Sequence, residues 1–102
     1  MPFRRGRFAD LITRQLDLFE RERAGLIADT EAALAAYNRA ERDEAEERYG
    51  DYLDLVATGQ EELEEIRDAY AATLEDDTAE EYRALFNAAV RKRLPRFGLE
   101  LD

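Results

Sequence analysis

The segment Asn38-Arg39-Ala40-Glu41-Arg42-Asp43-Glu44-Ala45-Glu46-Glu47-Arg48 holds nothing larger than alanine to bury, and it separates two apolar series of similar length. The chain turns here. Asp43 and Glu46 form an Asp-x-x-Glu pair of the capping-box kind, and Glu44, Glu46 and Glu47 would lie in a first turn where the helix dipole favours negative charge. Every residue in the segment also tolerates helix, so a continuous solvated helix through 38–48 is the competing reading.

Upstream, Phe8, Ile12, Leu16, Phe19, Leu26, Ala33 and Tyr37 recur in steps of three, four or seven, with Arg23 and Thr30 as polar members of the same seam. This spacing predicts helix one over 8–37. Downstream, Tyr49, Tyr52 or Leu53, Val56, Leu63, Ile66, Tyr70 and Leu74 predict helix two over 43–75. A fold centred near residue 41 pairs positions that total about 82: Phe8 with Leu74, Ile12 with Tyr70, Leu16 with Ile66, Phe19 with Leu63, Leu26 with Val56, Ala33 with Tyr49. A register one heptad longer sets Ile12 against Asp77 and is disfavoured.

Helix three is predicted over 78–94. Asp77 with Glu80, or Thr78 with Glu81, can cap it; its stripe is Tyr82, Leu85, Phe86, Ala89, Val90 and Leu94, and Pro95 stops it. The expected fold is all-α, a single domain made of a long antiparallel helical hairpin and a shorter third helix, flanked by a basic arm (1–7) and a tail (95–102). Helix three spans about 25 Å, against about 45 Å for each hairpin arm. One end of the hairpin therefore stays open, and a second copy that completes a helical bundle is the simplest remedy. A homo-oligomer, with a dimer favoured, is the expectation.

Composition narrows the function. The 102 residues carry 25 acidic and 15 basic side chains for a net charge of -10, and they include no cysteine, histidine, serine or tryptophan. Leu, Ile, Val and Phe number 23, little above the fraction at which high charge predicts disorder, so the core is thin or shared. Disulfides, thiolate nucleophiles, Ser-His-Asp triads and the usual zinc and iron–sulfur sites are excluded. No enzymatic activity and no cofactor is expected. No apolar run reaches the roughly 18 residues of a membrane span, and a cytoplasmic protein is expected.

The seam fails in its middle. Arg23, Ala24 and Gly25 face Ala57, Thr58, Gly59 and Gln60 in the expected register, and two opposed glycines predict close backbone approach, a kink or a pocket. Thr58-x-x-Glu61 would permit a break in helix two. The principal reading is tight packing with Arg23 reaching solvent or an acidic neighbour; a ligand niche of Arg23, Gly25, Thr58, Gly59 and Gln60 is the sharper alternative. Glu61, Glu62, Glu64, Glu65 and Asp68 form the densest carboxylate cluster, which would suit a hard cation, but a charge run of this kind reads first as a solvated face and no metal site is assigned.

Basic residues collect at the ends, as Arg4, Arg5 and Arg7 in front and Arg91, Lys92, Arg93 and Arg96 behind. They are the candidate anion-binding residues, although seven positives against an acidic body do not favour nucleic acid. Five tyrosines, Tyr37, Tyr49, Tyr52, Tyr70 and Tyr82, suit the edges of a narrow bundle or an interface. The sequence thus points to a helical interaction or structural module that self-associates and binds a protein partner. The alternatives are a carboxylate-rich metal or small-ligand protein and an anion or nucleic-acid binder acting through the arginine-rich ends.

Overall fold

The computed structural model describes residues 6–99, and among them there are four α-helices and no strand. The fold is all-α. Helix α1 spans Ala9–Glu22, α2 Ala24–Arg39, α3 Arg42–Ala71 and α4 Asp76–Arg93, followed by a 3-10 turn at Pro95–Phe97. No helix among the described residues is long and apolar enough to cross a membrane.

The chain turns at Ala40 and Glu41, both extended, so 38–48 is not one continuous helix. The N-cap residues of α3 and α4 are Glu41 and Glu75, neither of which makes a side-chain cap hydrogen bond. Asp43, Asp77 and Thr78, expected as caps, fall inside the first turns instead. Carboxylates at Asp43, Glu44, Asp76 and Asp77 meet the positive end of each helix dipole, and Arg91, Lys92 and Arg93 meet the negative end of α4.

The first predicted helix is interrupted. Arg23 leaves helical geometry (φ -116°, ψ 31°) between α1 and α2, although its N–H still donates to the Phe19 carbonyl at 2.8 Å. Exposed Ala24 and Gly25 follow, and the Ile27 N–H donates to the Arg23 carbonyl at 3.0 Å to begin α2. The second predicted helix, by contrast, runs unbroken through Thr58, Gly59 and Gln60 as part of α3. The register also differs from the expected one. Arg23 meets Glu62 and Tyr37 meets Tyr49, pairs whose positions total 85 and 86, whereas Phe8 meets Tyr70, a total of 78, so no single total holds along the chain. Helical side chains lean toward their own N-terminus, which shifts both members of the α2–α3 contacts to higher numbers, and beyond the break α1 no longer follows that pairing.

Helix α2 runs in close backbone contact with α3, whereas α1 beyond the break does not keep that approach, and α4 packs against both α1 and α3. The core lies at this three-helix end. Ile12, Leu16 and Phe19 of α1 share it with Leu63 of α3 and with Tyr82, Phe86 and Val90 of α4. Phe8 closes it, edge-on to Tyr82 at 5.3 Å and to Tyr70 at 6.4 Å between ring centroids. Tyr82 is fully buried, not at an edge, and its hydroxyl donates to Gln15 Oε1 at 2.9 Å.

The predicted tail is part of the core. Pro95 ends α4 and turns the chain back onto the hairpin, which buries Phe97 and Leu99 almost completely. Phe97 stacks edge-on against Phe19 at 6.2 Å and lies on Gly59, where a Cβ would overlap its ring. Gln60 Nε2 donates to the Gly98 carbonyl at 3.0 Å, and Arg91 Nη1 to that of Leu99 at 2.8 Å.

From Glu31 to Thr58, no residue is fully buried. The molecule measures 55 × 26 × 22 Å, a three-helix body that narrows to a two-helix tip.

Two glycine substitutions test this packing. Gly59→Ala gains about 1 kcal/mol of helix propensity but must displace the Phe97 ring, an overpacking cost of about 1–3 kcal/mol. A net loss is expected, and Phe97→Leu in the same chain should make it less than additive. Gly50→Ala meets no atom within 4 Å and should raise stability by up to about 1 kcal/mol. Urea unfolding of the parent, Gly59→Ala, Phe97→Leu, their double variant and Gly50→Ala reads both effects.

Candidate functional site

The five niche residues do not converge. Arg23 sits at the helix break and closes a bidentate pair on Glu62, at 2.7 Å from Nε and 3.0 Å from Nη2. Gln60, two residues earlier on α3 and therefore about 200° around the helix, faces the opposite side and holds Gly98. Gly59 is buried beneath Phe97, Thr58 is exposed with its hydroxyl on the Asp54 carbonyl at 3.0 Å, and Gly25 has open space around it. Close approach does occur at Gly59, but to the returning tail and not to Gly25. An apolar Phe97-Gly98-Leu99 run two residues after Pro95 was the signal that something would come back to fill this gap.

The basic residues are mostly engaged within the chain. Arg93 clamps α4 to α1, bidentate on Glu20 (3.0 and 2.8 Å) and also donating to Asp17, and these carboxylates hold its guanidinium pKa well above the usual value. Arg96 reaches Glu31 at 3.1 Å, Arg7 lies 3.8 Å from Glu81 and over the Phe8 ring, and Arg91 serves the Leu99 carbonyl. Lys92 is exposed. Arg4 and Arg5 lie outside the described residues.

In the acidic cluster, Glu62 belongs to Arg23, and Asp68 to Arg67 (2.8 Å) and Arg83 (3.5 Å). The Arg67 hydrogen bond lowers the Asp68 pKa against the opposing effect of burial. Arg67 also donates to Oδ1 of fully buried Asn87 at 3.1 Å. Among the described residues, no group of three or more carboxylates is placed to hold a metal ion.

Two surfaces remain. One is the tip, where Tyr37 and Tyr49 pack at 5.0 Å and Tyr49 and Tyr52 at 6.2 Å, while Tyr49 and Leu53 are each 44% exposed. The other is a groove of about 580 Å³ between α1 and α3, on the side away from the Arg93 clamp. Leu18, Phe19, Ile66 and Ala69 make it apolar, Glu22 and Glu65 stand on its walls, and the Arg23–Glu62 pair closes one end. The expected hairpin seam places Leu18 off the stripe, which is why the groove is not visible from periodicity. Comparisons with protein-family models, curated proteins and solved structures find no match.

Tyr82 supplies a pH test. Burial raises its phenol pKa above the ordinary 10.0, so the folded chain favours the neutral form. That contribution to stability is complete below about pH 10 and is lost as pH rises past it. Tyr82→Phe should cost about 1 kcal/mol at neutral pH through the lost Gln15 bond, and its stability should fall less between pH 10 and 11 than that of the parent chain. Chemical unfolding followed by circular dichroism at each pH checks both.

Proposed function

We propose that this protein is a non-catalytic helical interaction module that self-associates through its hairpin tip and presents the remaining surface to a protein partner. One observation carries the reading: the 28 residues from Glu31 to Thr58, which form the end of α2, the turn and the start of α3, include no fully buried residue. Helical segments of this length draw their stability from tertiary packing more than from propensity. At the tip, packing is confined to the mutual contact of α2 and α3. A second copy laid against Tyr37, Tyr49 and Leu53 would supply the missing layer.

Tyrosine-rich, half-exposed surface is the composition that protein interfaces use. The non-catalytic part is supported by the absence of histidine, cysteine and serine, and by arginines and carboxylates that satisfy one another. Residues 31–58 carry eight acidic and three basic side chains, a net of -5, so two tips repel at long range and association should strengthen as salt is added.

Native mass spectrometry and sedimentation across a hundredfold dilution test the proposal. A dimer or larger species that dissociates on dilution, with a melting temperature that falls in parallel, is the expected outcome. Tyr49→Glu with Leu53→Glu should give a monomer that keeps the α4-end core. A parent chain that stays monomeric and melts at one temperature throughout refutes self-association.

A further inference from the structure

We propose that the groove between α1 and α3 is a docking site for a basic amphipathic helix of a partner protein. The inference extends the partner-binding part of the function above and is independent of self-association at the tip. Its first support is shape. The three helices α1, α3 and α4 enclose the core from one side, and on the other side α1 and α3 leave an elongated depression floored by Phe19 and Ile66. From Gln15 to Arg23 it extends eight residues along α1, about 12 Å, which is the length of two helical turns. That length accepts apolar side chains at i, i+4 and i+7 or i+8 of an incoming helix, the anchor pattern of helix-in-groove recognition.

Chemistry selects the class of helix. The groove walls are themselves α-helices, whose backbone groups are paired along the ladder, so an extended strand finds no edge to join. Leu18, 47% exposed on the α1 wall, is the most exposed large hydrophobic residue of the described chain. An apolar anchor from the partner would cover it. Glu22 and Glu65 flank the floor from opposite walls and Arg23 is already neutralised by Glu62, so the groove carries a net negative charge of its own. Within a chain of net charge -10, this rim complements a helix that carries arginine or lysine on both sides of its apolar stripe. The same rim disfavours a second copy, whose own helices α1 and α3 are acidic.

The test uses the full chain and two synthetic 18-residue peptides of identical leucine, alanine and lysine composition. One has leucines at helical spacing; the other is scrambled so that no apolar face forms. Fluorescence anisotropy should show the amphipathic peptide binding at least tenfold tighter than the scrambled one, with affinity falling as salt rises. Leu18→Gln should weaken binding at least tenfold while leaving the circular dichroism spectrum unchanged. Glu22→Gln with Glu65→Gln should weaken it and flatten the salt dependence. Leu53→Gln, an equal apolar loss at the tip, should leave binding as it is. Equal binding of the two peptides, or equal damage from Leu18→Gln and Leu53→Gln, overturns the site. A native oligomer that Leu18→Gln takes apart would assign the groove to a second copy and overturn the proposal as well, whereas an oligomer lost only through the tip variants leaves it standing.

Discussion

The ring of Phe97 occupies the space that a side chain at position 59 would fill, and the organisation of the molecule follows from that contact. Glycine inside a helix is unfavourable by about 1 kcal/mol relative to alanine, but here it lets an aromatic ring lie directly on the α3 backbone. Through Phe97 the end of the chain reaches both hairpin arms at once, Gly59 of α3 and Phe19 of α1. Polar groups fix the same segment from two sides, Gln60 on Gly98 and Arg91 on Leu99. Helix α4 is too short to cover the hairpin, and the returning tail extends the covered part past the helix break, where Leu26 and Thr30 are buried and Arg96 reaches Glu31.

The break at Arg23 is the counterpart of that arrangement. An uninterrupted first helix packed closely along α3 would leave no room for the fully buried rings of Tyr82 and Phe86. Interruption frees α1 from the path of α2, and α4 packs against both α1 and α3. Electrostatics then hold the position from the outside: Arg93 binds α4 to Asp17 and Glu20 of α1, and Arg23 binds the break itself to Glu62 of α3. Each pair is partly exposed and contributes modestly to stability, but bidentate geometry defines direction, so their role is orientation more than strength. Buried Asn87, held by Arg67, adds a directional contact between α3 and α4.

Much of this fold was legible in the sequence because it depends on apolar periodicity. The stripes through Ile12, Leu16 and Phe19 and through Tyr82, Phe86 and Val90 are the buried ones, and Thr30 is a polar member of the seam that satisfies its hydroxyl on the Leu26 carbonyl at 2.8 Å. What was not legible depends on geometry that a one-dimensional pattern does not carry. Side-chain tilt and the break at Arg23 displaced the expected pairs, and Pro95 read as a stop concealed a turn that brings Phe97 and Leu99 inside. The paired glycines marked a real irregularity, but a close approach and a helix break leave the same mark in sequence, and they fell on different helices. Of the surface, the open tip was legible from helix lengths, whereas the groove at Leu18 arises only because α1 departs from α3.

Buried residues are distributed unevenly along the 55 Å axis, and stability follows them. The α4 end carries the fully buried rings and the clamp of Arg93, so opening there requires disruption of the whole core. At the tip the helices hold each other through alanines and half-exposed tyrosines, and opening is correspondingly less costly. Charge is arranged on the same plan. Arg93, Arg96 and Arg7 are paired with internal carboxylates, so of the described basic residues at the ends Arg91 and Lys92 carry the positive charge outward, while the acidic surplus stays on the hairpin. On the function proposed above, cationic surfaces would be attracted along the flank while copies of the chain would repel until close apolar contact took over, so the range of the forces would separate recognition of a partner from assembly with its own kind.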